Sequence, residues 1–198
     1  SRSLMTLTLH DLAAMERREL FTVLEHGHPL DEDALADTEY LGVALGMPAL
    51  AVKLLWKTFR KTFHVDGDVL RGWNVRMQQT GIDGRAVPMT NRRGQPRTFG
   101  HYHVRSAAGI SFPHGVSAAH YLDYTVAGNA RLDLARFGNT PLIAVNADTS
   151  DLLLGWEVFR VGSLFLPTPI YYALQKQGPL SHVVSAPRGP ESDQDRRA

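Results

Sequence analysis

Residues 152–175 read LLLGWEVFRVGSLFLPTPIYYALQ, and this stretch decides the fold. Two apolar runs flank Gly162-Ser163, a two-residue hairpin turn with glycine at its first central position. The turn pairs Val161 with Leu164, Phe159 with Leu166, Glu157 with Thr168, Gly155 with Ile170 and Leu153 with Tyr172. In that register the N–H groups of residues 165, 167 and 169 point away from the partner strand. Pro167 and Pro169 have no N–H, so they fall where the hairpin needs no donor. The far side of the second strand is therefore an edge, a seam or a mouth. The paired faces are apolar except for one carboxylate, Glu157, and the ribbon reads as part of a β-built container with a few inward polar groups.

The rest of the chain bounds what that container belongs to. The 198 residues suffice for one domain with a real core, and 43% apolar with 21% charged residues is ordinary for a globular protein. Zero cysteines exclude a disulfide framework, a thiolate metal site and a cysteine nucleophile. No apolar run approaches the roughly 18 residues of a membrane span. Glu16, Arg17, Arg18, Glu19 and Glu25 contradict a secretory leader, so a cytoplasmic protein is expected. The net charge of +1 divides into +8 over residues 48–105 and −7 elsewhere, which marks either a face for anionic partners or two complementary solvated surfaces.

Hydrophobic spacing gives the organisation. Leu9, Leu12, Leu20, Val23 and Leu24 recur at helical intervals, with Gly27 as a stop. Residues 30–37 form a short second helix capped by Asp31, and Pro48 opens a third, basic amphipathic helix over 48–63. From residue 65 the period changes to two. Val69, Trp73, Val75 and Met77 share one face of a strand, while Leu70, Asn74 and Arg76 share the other. Further strands are expected at 98–107, 117–126 and 141–147. The expectation is an α+β protein: a helical segment 1–64 packed on a mainly antiparallel, barrel-like sheet over 65–184, then a disordered polar tail, 185–198.

Four constellations carry possible chemistry. Burial of Glu157 among apolar neighbours raises its pKa and makes it a candidate general acid or base, unless it faces outward or pairs structurally with an arginine. His120 and Tyr124 share the more apolar face of strand 117–126, so His120 is the second acid/base candidate, against the plainer role of a satisfied core histidine. His101 and His103 project to one side of a strand and, with His114 or His120, offer metal-ligand spacing. No glutamate follows them, Arg105 would repel a cation, and Tyr102 and Val104 look like the buried face. Helix 48–63 suits an anionic lipid or nucleic acid surface, or simply docks on the sheet. Phosphate-loop, dinucleotide, nucleophile-elbow and zincin motifs are all missing.

From Leu70 to Gln175 the strand series, with LRGWNV early and LLLGWEVF late, resembles calycin or lipocalin-type barrels. Gly72 and Trp73 are adjacent here, whereas lipocalins separate the pair by one residue. The resemblance implies a cup for a small, mostly apolar or aromatic molecule, with Trp73 closing the barrel base. Ligand-facing candidates are Tyr124, Tyr172, Trp73, Phe159 and Thr168, without a cofactor or a resident metal. The function read from the chain is binding in the lumen, with cofactor-free isomerase, cyclase or dehydratase chemistry as its catalytic form. A salt-sensitive interaction protein and a histidine-ligated metal protein are the alternatives. Nucleic acid is not an expected partner, and a homodimer would form through a helix.

Overall fold

The structure, a computed structural model, describes residues 6–46, 58–79, 85–130 and 132–187. Three short helices come first: α1 (Leu9–Ala14), α2 (Arg17–Glu25) and α3 (Glu32–Leu35). Two capping boxes, Thr8 with Asp11 and Glu16 with Glu19, split the expected first helix into α1 and α2. Asp31 caps α3 by accepting from the Asp33 and Ala34 N–H groups. Eight strands follow: β1 (Thr38–Leu45), β2 (Thr58–Asp66), β3 (Val69–Arg76), β4 (Thr98–Ser106), β5 (His120–Asp123), β6 (Asn139–Ala144), β7 (Leu152–Val161) and β8 (Leu164–Pro179). Each pairs antiparallel with its sequence neighbours, and β8 returns to β1, so the sheet closes into an up-and-down, calycin-like barrel.

The barrel begins at Thr38, within the stretch expected to be helical. Residues 58–63 of the expected basic helix are strand β2, and residues 48–57 lie outside the described residues. Phe59, Lys61 and Phe63 fit a period of two as well as a helical stripe, and pairing on both flanks decides for the strand. With Lys61 turned into the barrel and Arg60 paired to Glu39 at 3.4 Å, the basic face required for a lipid or nucleic acid surface is not formed by these residues.

Two apolar layers hold the fold. Outside, Leu9, Leu12, Leu20 and Leu24 of α1 and α2 pack on Leu41, Val43, Ile143, Leu154, Trp156 and Tyr171. Inside, Tyr40, Phe63, Leu70, Tyr102, Leu122, Leu142, Leu153 and Leu174 fill the closed end, with Leu30 and Leu35 below them. Trp73 lies on the outer face, with Val75 and Met77, covered by Leu180 and Val184 of the chain's last described residues. It does not close the barrel base: in β3 the inward positions are Leu70, Gly72 and Asn74, one step out of phase with Trp73.

Rings laid on glycines line the wall. The cross-strand partners Gly42 and Phe59, Gly72 and Tyr102, and Gly155 and Tyr172 each place an aromatic ring where a glycine Cβ would stand. The last pair depends on a bulge. The hairpin keeps its expected register from Val161–Leu164 down to Val158–Pro167, with Gly162 at φ 62°. Residues 168–170 then oppose Glu157 alone, so Gly155 meets Tyr172 rather than Ile170, and Leu153 meets Leu174. Two added residues preserve the alternation, and Glu157 stays inward. Thr168 stitches the bulge. Its hydroxyl donates to the Glu157 carbonyl at 2.7 Å, and its own carbonyl accepts from Trp156 Nε1 at 2.8 Å.

Alanine at Gly155 drives a methyl into the Tyr172 ring, with an expected cost of about 1–3 kcal/mol read as a lowered urea midpoint. Adding Tyr172→Ala should cost less than the two single losses combined; strictly additive losses would refute the contact.

Candidate functional site

The upper half of the barrel is hollow. A cavity of about 300 Å³ is lined by Phe59, Phe99, Phe159, Ile170, Tyr172, Leu134 and Ala135, with Lys61, Asn74, Tyr124 and Glu157 as its polar members. Strand position orders them by depth. Phe59, Phe99, Phe159 and Ile170 sit toward the strand ends that carry the β7–β8 turn, and Lys61, Asn74 and Tyr172 lie two residues further in. The mouth is apolar: Leu134, Leu164 and Leu166 are exposed around it. A larger groove of about 640 Å³ outside the barrel is lined by polar groups already used in structure, including the α3 cap Asp31 and Lys176, which donates to the Ala34 carbonyl.

Lys61 is the centre of the polar cluster. It is 1% exposed, and its ammonium lies 4.5 Å from the centroid of Tyr102 and 5.0 Å from that of Tyr172, with Phe59 and Tyr124 slightly further away. Nζ donates to Asn74 Oδ1 at 2.8 Å and bonds the Tyr124 hydroxyl at 2.8 Å. The Asn74 amide is oriented by its own bond to the Gly100 carbonyl at 2.9 Å. Loss of hydration holds the Lys61 amine down to about 7, against the smaller opposing pull of Glu157.

Glu157 belongs to the same cavity wall. Desolvation raises its pKa, and Lys61 and the Thr140 hydroxyl, 3.5 Å away, partly offset that rise. Residue 157 keeps some exposure because it faces the hollow, while the protein around its carboxyl excludes bulk water. The Tyr172 hydroxyl is buried with no hydrogen-bond partner; Thr140 influences it electrostatically but is not in bonding geometry. The site thus holds an amine and a carboxyl with pKa values pushed toward one another, and a phenol free to bond a guest.

The sequence-derived candidates divide cleanly. Glu157, Tyr124, Tyr172 and Phe159 line the cavity. His120 does not: it pairs with Ser106 and Leu142, and its Nε2 lies 2.8 Å from Glu32 of α3, which ties it to the helical side of the barrel. Thr168 serves the bulge backbone, and Trp73 lies outside the barrel. His101 and His103 face outward but are half-buried rather than solvated; burial lowers both, His101 to about 4. His114 stacks on Trp156, so these histidines do not converge, and among the described residues no cluster of three metal-ligating side chains occurs. Lys61 and Asn74 were not singled out from sequence. The signal was there in β2, where an aromatic, a lysine and an aromatic alternate at period two.

No family model and no curated protein matches the chain. Two solved structures overlap it. Apocrustacyanin C2 is 12% identical, with 94% of this chain and 78% of that one covered and a TM-score of 0.36. Lobster apocrustacyanin A1 is 13% identical, with the same coverage and a TM-score of 0.34. At such values neither similarity bears on the lumen, and the barrel class rests on strand order and closure.

Lys61 also gives the protein a pH signature. Unfolded, its amine titrates at its ordinary 10.5, and folded at about 7, so between these values the unfolded chain binds the extra proton. The cost of burying this amine is therefore greatest below about pH 7 and falls as pH rises above it. The urea midpoint of wild type should therefore rise relative to that of Lys61→Met between about pH 7 and 9.5, below the range where the buried tyrosines oppose it. A constant difference across that window would return Lys61 to an ordinary pKa.

Proposed function

We propose that the protein binds one small, mostly apolar or aromatic molecule in the barrel lumen, its apolar body among Phe59, Phe99, Phe159, Ile170 and Tyr172. The polar end of the guest meets Lys61, Asn74, Tyr124, Tyr172 and Glu157. The observation that carries this reading is the cavity of about 300 Å³, open through an apolar mouth and ending on polar groups rather than on packed leucines. Cofactor-free acid–base chemistry is supported by the carboxyl and the amine that share this wall, with Glu157 as proton donor or acceptor and Lys61 in the place expected for His120.

The neutral naphthalene dye prodan tests the binding reading. It should bind saturably at one site with blue-shifted emission and little dependence on salt, because no counterions are displaced. Ala135→Trp fills the mouth and should weaken binding at least about tenfold, roughly 1.4 kcal/mol, without loss of circular dichroism. Unchanged affinity in that variant, or steep weakening with salt, would move the binding away from the lumen.

A further inference from the structure

Lys61 has two hydrogen-bond partners for the three protons of an ammonium. Asn74 Oδ1 is fixed as an acceptor by the amide's bond to Gly100, and the Tyr124 hydroxyl takes the second direction. Among the described residues no third acceptor lies within bonding distance of Nζ. A neutral amine matches this inventory: two groups are bonded and one valence is left over. The residue lines the cavity, and its remaining neighbours are ring faces, Tyr102 at 4.5 Å and Tyr172 at 5.0 Å from the nitrogen. Within the same wall stands Glu157, whose carboxyl accepts only the long bond from Thr140.

Resting on the lumen-binding reading, we propose that Lys61 is a nucleophile that captures an apolar aldehyde or ketone as a Schiff base, with Glu157 as proton donor and then counter-ion. The neutral Nζ attacks the carbonyl carbon, the C=O π pair moves to oxygen, and one of the two nitrogen protons passes to that oxygen to give the carbinolamine. The carboxyl of Glu157 delivers its proton to the departing oxygen, which leaves as water while the nitrogen lone pair closes the C=N bond. Aldehyde, amine and carboxylic acid thus become iminium, carboxylate and one water, with charge conserved and no oxidant or reductant required. The iminium lies among the rings of Phe59, Tyr102, Tyr124 and Tyr172, whose faces favour a cation, and faces a carboxylate in a low-dielectric hollow. Such a site holds carbonyl compounds covalently but reversibly, and it ranks them above alcohols of equal shape.

para-Dimethylaminocinnamaldehyde, with its alcohol as a non-reactive twin, tests this on the whole folded chain. Near neutral pH the aldehyde should give a red-shifted absorption band of a protonated imine. Cyanoborohydride should then fix one adduct per chain, located by peptide mapping at Lys61. Lys53, Lys57 and Lys176 compete with it, and Lys61 should label at least about tenfold faster than Lys176, whose Nζ is held by the Ala34 carbonyl outside the cavity. Lys61→Met should bind aldehyde and alcohol alike, with no red shift and no adduct in that peptide. Glu157→Gln should slow adduct formation and weaken the red shift. Saturable uptake of both twins by wild type, with adducts only at the other lysines or the amino terminus, would overturn the nucleophile and leave the lumen reading intact. Failure of both twins to bind would overturn both readings.

Discussion

A closed barrel of eight strands encloses little more room than its own side chains fill, so every hollow in it has to be made by geometry. Here the device is a ring laid flat on a cross-strand glycine. Phe59 over Gly42 and Tyr172 over Gly155 lie along the wall instead of crossing the lumen, and the volume they vacate is the cavity. Lower down the same device stops: Tyr102 covers Gly72, but Phe63, Tyr40, Leu122 and Leu153 meet around it and close the interior. The division between packed floor and open cup follows from which inward positions are glycine and which are large. Rings held against a wall are also pre-positioned for a guest, which spares ordering cost on binding.

An amine and a carboxyl inside that cup stand against the economy of a folded core. Desolvation works against the charged form of each, and their attraction offsets only part of it. Hydrophobic residues of similar size at positions 61 and 157 would hold such a barrel as well or better. The polar pair is therefore not explained by the needs of the fold. Nor is it idle as a pair, because burial pushes the carboxyl up and the amine down, and moving a proton from nitrogen to oxygen leaves the net charge of the lumen unchanged. A reaction that turns the amine into an iminium and releases the carboxyl's proton forms two opposite charges side by side, so the net charge of the lumen is unchanged and each charge has a partner.

Much of this was legible in residues 152–175. The turn at Gly162-Ser163, Pro167 on the side away from β7 and the inward glutamate all follow from local rules of period and donor placement, whereas Pro169 falls inside the bulge. Local rules fail where a partner strand decides. The bulge at 168–170 is invisible to a pairing count, because Thr168 and Trp156 make it good through side-chain bonds that only the folded ribbon brings together. Residues 58–63 satisfy two periods at once, and nothing within them says that β1 and β3 lie on either side. Lys61 was hidden by that ambiguity: on a helix it is one more solvated cation, and on a strand it is the residue between two inward aromatics. Trp73 misled through family habit, since alternation alone had already placed it with Val75 and Met77, away from Asn74.

The prolines of β8 also explain how an apolar mouth survives in water. Strand β8 is longer than β1: pairing between them ends at Leu45–Tyr171, and, among the described residues, 164–170 have β7 on one side only. An edge of this kind, with Leu164 and Leu166 exposed, is the usual template for strand addition by another chain. Pro167, at the last regular pair with Val158, removes a donor from the side away from β7, and Pro169 lies inside the bulge that bends the strand. What is left is an apolar surface that a small guest can cross but a strand cannot extend. Pro167 thus both marks the register and blunts the strand at the rim.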